Sequence, residues 1–410
     1  MPCASGYCTA SAFQPRGKLR LSKAPRLVLL SVSAGAGHVR AAAALDAQAR
    51  EAGFEAVHID IMQRVPAWFR WVYADLYAIL VNRAPFLWRC LYAAMNHPAG
   101  TGLLHSARRA IERRVSRAWL RELASLAPDA IVCTHFLPAE VLGQSKSQRS
   151  KAAAGQSGAP AVLACPVYVH VTDFDLHAMW IQPGVASYFV ACDEVGFQLR
   201  RAGVDAARIE VSGIALTPGF RPMARQDGVL RAHGFDPARM TVLLMGGGGG
   251  FGQLERLVPS LLDGADGFQL LVLAGRNAGA LAALQSMAVR WPGRLAAVGF
   301  TDQVAQLMAS VDLVISKPGG LTSSECLAIG VAMIANAPIP GQEERNADHL
   351  LEQGVALKAI DHSTLVYRLR HLLDDADRRQ AMALRARSLG RPDAARDIIH
   401  AITLKLKATS

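Results

Sequence analysis

Several short stretches of this chain combine imidazole, glycine, hydroxyl and acidic groups where strand-like runs hand over to helix-like ones. His38 follows Gly35-Ala36-Gly37, after the apolar run Arg26 to Ala34 and at the start of an alanine-rich helical stretch from Val39 to Ala52. The positive end of a helix dipole favours the neutral imidazole that a general base needs. A structural helix-start histidine suits the same position. The segment SKPGGLTSSECLAIG, Ser316 to Gly330, joins a strand end, a Pro-Gly-Gly turn, hydroxyl residues and an acid one turn into a helix. Exposed amides near Leu321, Thr322 and Ser323 suit a diphosphate, and Glu325 is spaced to hold a ribose diol. In PIPGQEERNADHL, Gln342, Glu343 and Asn346 stand on a loop leading into a helix. An amide beside a carboxylate matches a sugar's paired hydroxyls, although the loop reads equally well as a helix cap.

Two further patterns invite cofactor readings. Five glycines, Gly246 to Gly250, follow the run MTVLLM and leave backbone N–H groups free to approach a phosphate. Gly247, Gly249 and Gly252 fit GxGxxG, but a glycine run satisfies that pattern almost automatically. The next strand, QLLVLAGRN, ends without the acid that grips an NAD ribose, which leaves only an NADP reading through Arg276. Thr172-Asp173-Phe174-Asp175 contains DxD, and His170 and His177 flank it. Alternate residues on a strand face opposite sides, so His170 and Asp173 diverge; no metal site is expected, and Asp173 reads as an acceptor-side group.

The elements that must position these groups follow one grammar. Strand, glycine turn, helix and the returning strand FEAVHID form a βαβ unit. AIVCTH, VYVHVTD and YFVAC continue the series, with loop composition in GQSKSQRSKAAAGQSGAP (Gly143 to Pro160). A second series runs through MTVLLM, QLLVLAG, LAAVGF, DLVISK and AMIANAP. The join LTPGFRPMARQDGVLRAHGFDPAR reads as an interdomain linker. The expected layout is α/β: a disordered lead over 1–25, Rossmann-like domains over 26–220 and 221–380, and a helical segment over 381–410. A ligand cleft belongs at the carboxyl ends of both sheets.

Composition narrows the classes. Half of the residues are apolar, enough for two cores and against disorder. Through Arg225 there are 25 basic and 15 acidic residues; after it, 19 and 18. Only the first half therefore favours a polyanionic partner, and no nucleic-acid signature accompanies it. The seven cysteines show no CxxC pair, as in a reducing cytoplasm. The N-terminus lacks the apolar centre of a signal peptide, and Val65 to Met95 is too interrupted by charge and proline for a spanning helix. In that stretch Trp68, Phe69, Trp71, Tyr73, Tyr77, Phe86, Trp88 and Tyr92 alternate with Arg64, Arg70, Arg83 and Arg89, before Arg108, Arg109, Arg113, Arg114, Arg117 and Arg121. Aromatics at headgroup depth and arginines on phosphates describe an interfacial segment. Helices with an arginine-rich outer face give the same pattern.

The ordered series GAGHVRAAAAL, THFLP, VTDFDLHAMWI, YFVACDEV, VSGIALTPGF, GGGGGFG, LAGRN, VGFTDQ, KPGGLTSSE and PIPGQEERNA resembles the monogalactosyldiacylglycerol synthase and processive diacylglycerol glucosyltransferase family. That GT-B group is also similar to the peptidoglycan N-acetylglucosaminyltransferase. The resemblance covers about residues 26 to 360 and implies two facing Rossmann-like domains around a cleft. It implies a UDP-sugar in the second half, with Val298 and Phe300 by the uracil and Glu325 at the ribose. Gly247, Gly248, Gly249, Gly320, Leu321 and Thr322 would attend the diphosphate, and Gln342 and Glu343 the sugar. His38 would be the acceptor-side base, with Asp173 the second catalytic candidate. Gly37, His135, Trp68, Trp71, Arg113 and Arg114 would face a diacylglycerol-type lipid and an anionic membrane. The implied enzyme is an inverting hexosyltransferase without a cofactor or metal, peripheral on the cytoplasmic face of a membrane. GAGH replaces the plant GGGH and PGGLT replaces AGPGT, which leans towards the bacterial members and leaves glucose and galactose both open.

Overall fold

Continuous apolar runs are what strands buried on both faces require, and each run above becomes a strand of a parallel sheet. The computed structural model describes residues 24–96, 103–152, 165–246 and 254–409. Nearly all of the expected lead lies outside them. The first sheet comprises β1 (Arg26–Ser31), β2 (Glu55–Asp60), β3 (Ala130–Cys133), β4 (Val167–His170), β5 (Ser187–Val190) and β6 (Ile209–Val211), in the order β2-β1-β3-β4-β5-β6. The second comprises β7 (Met240–Met245), β8 (Phe268–Gly275), β9 (Leu295–Gly299), β10 (Leu313–Ser316), β11 (Ala332–Asn336) and β12 (Ala356–Ala359), in the order β12-β11-β10-β7-β8-β9. All pairings are parallel.

β1 shows why both faces must be apolar. Leu27 and Leu29 pack with Ala42 and Leu45 of the helix Ala36–Glu51, whereas Val28 and Leu30 meet Trp119, Leu123 and Trp180 on the other side. The last helix, Ala394–Thr409, crosses back to the first domain, where Ala395, Ile398, Ile399 and Ile402 complete the core that contains Leu27. The preceding helix, Ala376–Leu389, stays with the second domain through Met382 and Ala386. A third core bridges the domains, with Ala41, Phe174 and Ala191 of the first against Leu321, Cys326 and Leu327 of the second.

Two local expectations need correction. The helix Phe136–Ala152 continues through the first part of the expected loop, because Gln, Lys, Arg and Ala there favour helix despite their polarity. Residues 153–164 lie outside the described set. The expected interdomain join is itself packed, with Phe220, Leu230 and Phe235 buried against Leu243 and Met308. Arg108 does not serve the basic surface but turns inward, 2.7 Å from each of the buried Glu112 and Glu140. Among the described residues no helix is long and apolar enough to cross a membrane.

Candidate active site in the interdomain cleft

Each sheet reverses its winding direction once, and each reversal opens a crevice at the carboxyl ends of its strands. In the first sheet this lies between β1 and β3, and in the second between β7 and β10. His38 occupies the first crevice, in the opening turn of Ala36–Glu51. Its Nδ1 lies 2.8 Å from the carbonyl oxygen of Thr134, just past β3, and 2.9 Å from Oγ1 of Thr172, just past β4. A carbonyl only accepts, so Nδ1 carries the proton and Nε2 keeps a lone pair. Desolvation holds the His38 pKa below its ordinary value, against the attraction of Asp173. The imidazole is therefore neutral near pH 7.

His135 stands edge-on to His38, with ring centres 4.6 Å apart, and its Nδ1 accepts from the Leu137 amide at 3.0 Å. Burial, reinforced by the neighbouring His38, pushes its pKa well down. His170 is spent on structure: its Nε2 accepts from the Ala215 amide at 3.1 Å, and burial lowers its pKa to about 4. Asp175 accepts from Gln198 at 2.8 Å. Among the described residues no group of three or more His, Cys, Asp or Glu side chains is arranged to hold a metal ion.

The second crevice supplies an anion site in form. The turn after β10 leads into the helix Gly320–Ile329, whose first amides have no intrahelical acceptor. Ser316 and Ser323, on either side of this turn, have buried hydroxyls without a hydrogen-bond partner among the described residues. Gly320 is needed because a Cβ there would collide with the carbonyl of Thr172. A Cβ on Gly37 would sit 3.8 Å from Cβ of Leu321, so the helix starts of the two domains face each other beside His38. Thr322 is half-buried on the same turn. Of the glycine run only Gly246 is described; Gly247, Gly248 and Gly249 lie outside the described residues. Next to Gly246, a cavity of about 250 Å³ opens between the ends of β7, β10, β11 and β12, lined in part by Lys317, Asn336 and Asp361.

Side chains from both domains meet around this point. Glu325, 1 % exposed, pairs with Arg40 from the His38 helix, and burial raises its pKa to about 7 despite the guanidinium. Asp173 accepts from Gln342, and from Asn346 at 3.2 Å; burial raises its pKa, while His38, Gln342 and Asn346 oppose the rise. Asn346 also accepts from the Phe174 amide at 2.9 Å. Glu343 accepts from the Ile339 amide at 2.8 Å, and a Cβ on Gly319 would lie 3.9 Å from its Oε1. Burial raises the Glu343 pKa as well.

The structure thus gathers His38, Gly37, His135, Asp173, Gly320, Leu321, Thr322, Glu325, Gln342 and Glu343 around one cleft. Val298 and Phe300 stand apart, at the end of the edge strand β9. Phe300 is 65 % exposed, and the guanidinium of Arg276 lies 4.2 Å from its ring centre. Trp68 and Trp71 are exposed on the first domain, as are Arg113 and Arg114. Sequence reasoning missed the Thr134 and Thr172 clamp, the Arg40 partner of Glu325 and the link from Asp173 to Asn346. Arg40 and Glu325 are 285 residues apart, and no local spacing signals such a pair.

Two family models match the chain: monogalactosyldiacylglycerol (MGDG) synthase over residues 38–216 and the glycosyltransferase family 28 C-terminal domain over 241–398. A processive diacylglycerol beta-glucosyltransferase of Bacillus pumilus (strain SAFR-032) is 26 % identical over 368 residues, covering 89 % of this chain and 91 % of that protein. One of the same description from Bacillus cereus (strain AH187) is 30 % identical over 241 residues, covering 58 % of this chain and 62 % of its own length. Among solved structures, Acinetobacter baumannii MurG superposes with a TM-score of 0.58 at 18 % identity, over 92 % of this chain and 99 % of that one. Anabaena Alr3699/HepE in complex with UDP and glucose gives 0.52 at 13 %, over 92 % and 99 %. With its two facing parallel-sheet domains, the chain has the GT-B fold.

Proposed function

The chain belongs to the monogalactosyldiacylglycerol synthase and processive diacylglycerol glucosyltransferase family, and from that premise we propose that it transfers a hexose from a UDP-sugar to a diacylglycerol-type lipid at a membrane surface. It is a UDP-sugar-dependent glycosyltransferase; the lipid acceptor and the inverting course are the further steps of this reading. The observation that carries it is His38, with Nδ1 tied to Thr134 and Nε2 unprotonated, opposite the start of Gly320–Ile329.

The lipid hydroxyl oxygen bonds to the anomeric carbon as the bond from that carbon to the diphosphate oxygen breaks. The hydroxyl proton passes to Nε2 of His38, and the electron pair leaves with UDP. Asp173 steadies the imidazolium as it forms, consistent with its upward pull on the His38 pKa. Bare amides at Gly320, Leu321 and Thr322 meet the charge that develops on the diphosphate. Glu325 would exchange Arg40 for the ribose hydroxyls, and Gln342 and Glu343 would turn to the sugar. Exposed Trp68, Trp71 and Phe86, with Arg113 and Arg114, support contact with an anionic bilayer.

The names of the relatives make UDP-glucose the first donor to test. Purified protein incubated with diacylglycerol vesicles and a panel of UDP-sugars should yield a glycolipid of the mass expected for one donor. No glycolipid from any donor would overturn the reading.

A further inference from the structure

The helix Pro85–Met95 has no buried residue, yet it is apolar on two sides. Phe86, Leu87 and Leu91 point outward, 77 %, 51 % and 40 % exposed. Trp88 and Tyr92, four residues apart and hence on one face, point inward and reach the second domain. Indole Nε1 of Trp88 donates to the carbonyl of Pro340 at 3.1 Å. Arg89 pairs with Oε1 of Glu344 at 2.6 Å, while Oε2 of the same carboxylate accepts from the Gly341 amide at 3.0 Å and caps the next helix. Gly341 has φ +94°, and a Cβ there would come within 2.6 Å of the Tyr92 ring. At its far end the arm is fixed to the first domain: the Tyr92 ring centre lies 4.6 Å from that of His177, and the side-chain Oδ1 of Asn96 accepts from the Ala178 amide at 2.8 Å.

These contacts converge on the turn that immediately precedes Gln342 and Glu343. We propose that Trp88, Arg89 and Tyr92 are positioning residues for the donor sugar: the lipid-facing arm spans the cleft and sets the turn from which the two sugar-binding side chains project. The inference rests on the reading of the cleft as a UDP-sugar site. Among the described residues no hydrogen bond, ion pair or ring contact joins the three arm residues to the diphosphate-side helix, so they act on recognition of the hexose and leave the UDP moiety alone. Because Phe86, Leu87 and Leu91 line the outer face of the same helix, its proposed seat on the bilayer and its seat on the turn would be one rigid element.

The test uses the full-length chain and two mild substitutions, Trp88→Phe, which keeps a ring but loses the N–H, and Arg89→Gln. Each should raise KM for the UDP-sugar about two- to fivefold, the range for one neutral hydrogen bond or one part-exposed ion pair. UDP affinity by calorimetry should stay at the parental value, as should co-sedimentation with vesicles. Arg89→Gln combined with Glu344→Gln should add little to the larger single effect, since both remove one contact. A purely structural role would lower the melting temperature and leave the KM for donor unchanged in folded protein, and that outcome would overturn the proposal. If Trp88→Phe fails to fold, the exposed pair at Arg89 still decides. Failure of the parent chain to bind UDP would instead refute the underlying site reading, and this inference with it.

Discussion

Replacing Glu325 with glutamine should strengthen the fold at alkaline pH while it weakens the site. The carboxyl is 1 % exposed, and burial raises its pKa from 4.5 to about 7 with Arg40 already beside it. At about 1.4 kcal/mol per pH unit, that displacement is worth about 3 kcal/mol. Below pH 4.5 the group is protonated in the folded and unfolded chain alike and costs nothing. Above about 7 it is ionised in both, and the folded state carries the whole penalty. Stability attributable to Glu325 therefore falls as pH rises between those values. A neutral amide of the same shape escapes the penalty, so Glu325→Gln should gain on the parent by about 2 to 3 kcal/mol between about pH 5 and about pH 8. Urea unfolding of both proteins across that range measures the gap, and other titrations cancel in the difference. At the alkaline end of that range, where the carboxyl is ionised, UDP affinity should also fall by about 1.5 to 3 kcal/mol, because the ribose loses a charged acceptor. A gap that stays constant with pH would refute the reasoning about burial, and undiminished UDP affinity would remove Glu325 from the donor site.

Other perturbations separate the parts of the site. His38→Ala should lower turnover by about 10² to 10⁴ and leave UDP affinity near the parental value, as initial rates and calorimetry would show. Because the His38 pKa lies below the ordinary 6.5, the acid limb of the rate profile should fall only below that pH as Nε2 is protonated; a limb at higher pH would argue for another base. Activity should survive EDTA, since Asp173 and Asp175 are engaged by Gln342, Asn346 and Gln198; strict manganese dependence would contradict this. Reversing Arg113, Arg114 and Arg117 to Glu should release the protein from anionic vesicles, at about 1 kcal/mol per basic residue, and unchanged co-sedimentation would refute the electrostatic part of membrane binding.

The two domains were legible because strands of a parallel sheet, buried on both faces, must be written as apolar runs. β6 and β12 escaped because each is short and carries a charge, Glu210 and Lys358, that breaks the run. His38 and the Pro-Gly-Gly turn were legible for a local reason: glycine placed between strand and helix marks a ligand-facing turn whatever surrounds it. The cross-domain pairs have no such mark. Arg40 with Glu325, Asp173 with Gln342 and Trp88 with Pro340 join residues 285, 169 and 252 positions apart, and only the apposition of two sheets makes them neighbours. Charge runs mislead for a related reason. Arg108 looks like Arg113 and Arg114 in the sequence, but one helical face meets Glu140 while the other meets solvent.

Transfer itself is the most direct test of the account. Purified protein, diacylglycerol vesicles and UDP-glucose should give a monohexosyl lipid whose anomeric proton, by nuclear magnetic resonance, reports the β configuration, inverted from the α-linked donor, and His38→Ala should give almost none. A product that retains the α configuration would contradict the single displacement with His38 as base. Sugar nucleotide that is bound but never transferred to the lipid would contradict the lipid acceptor.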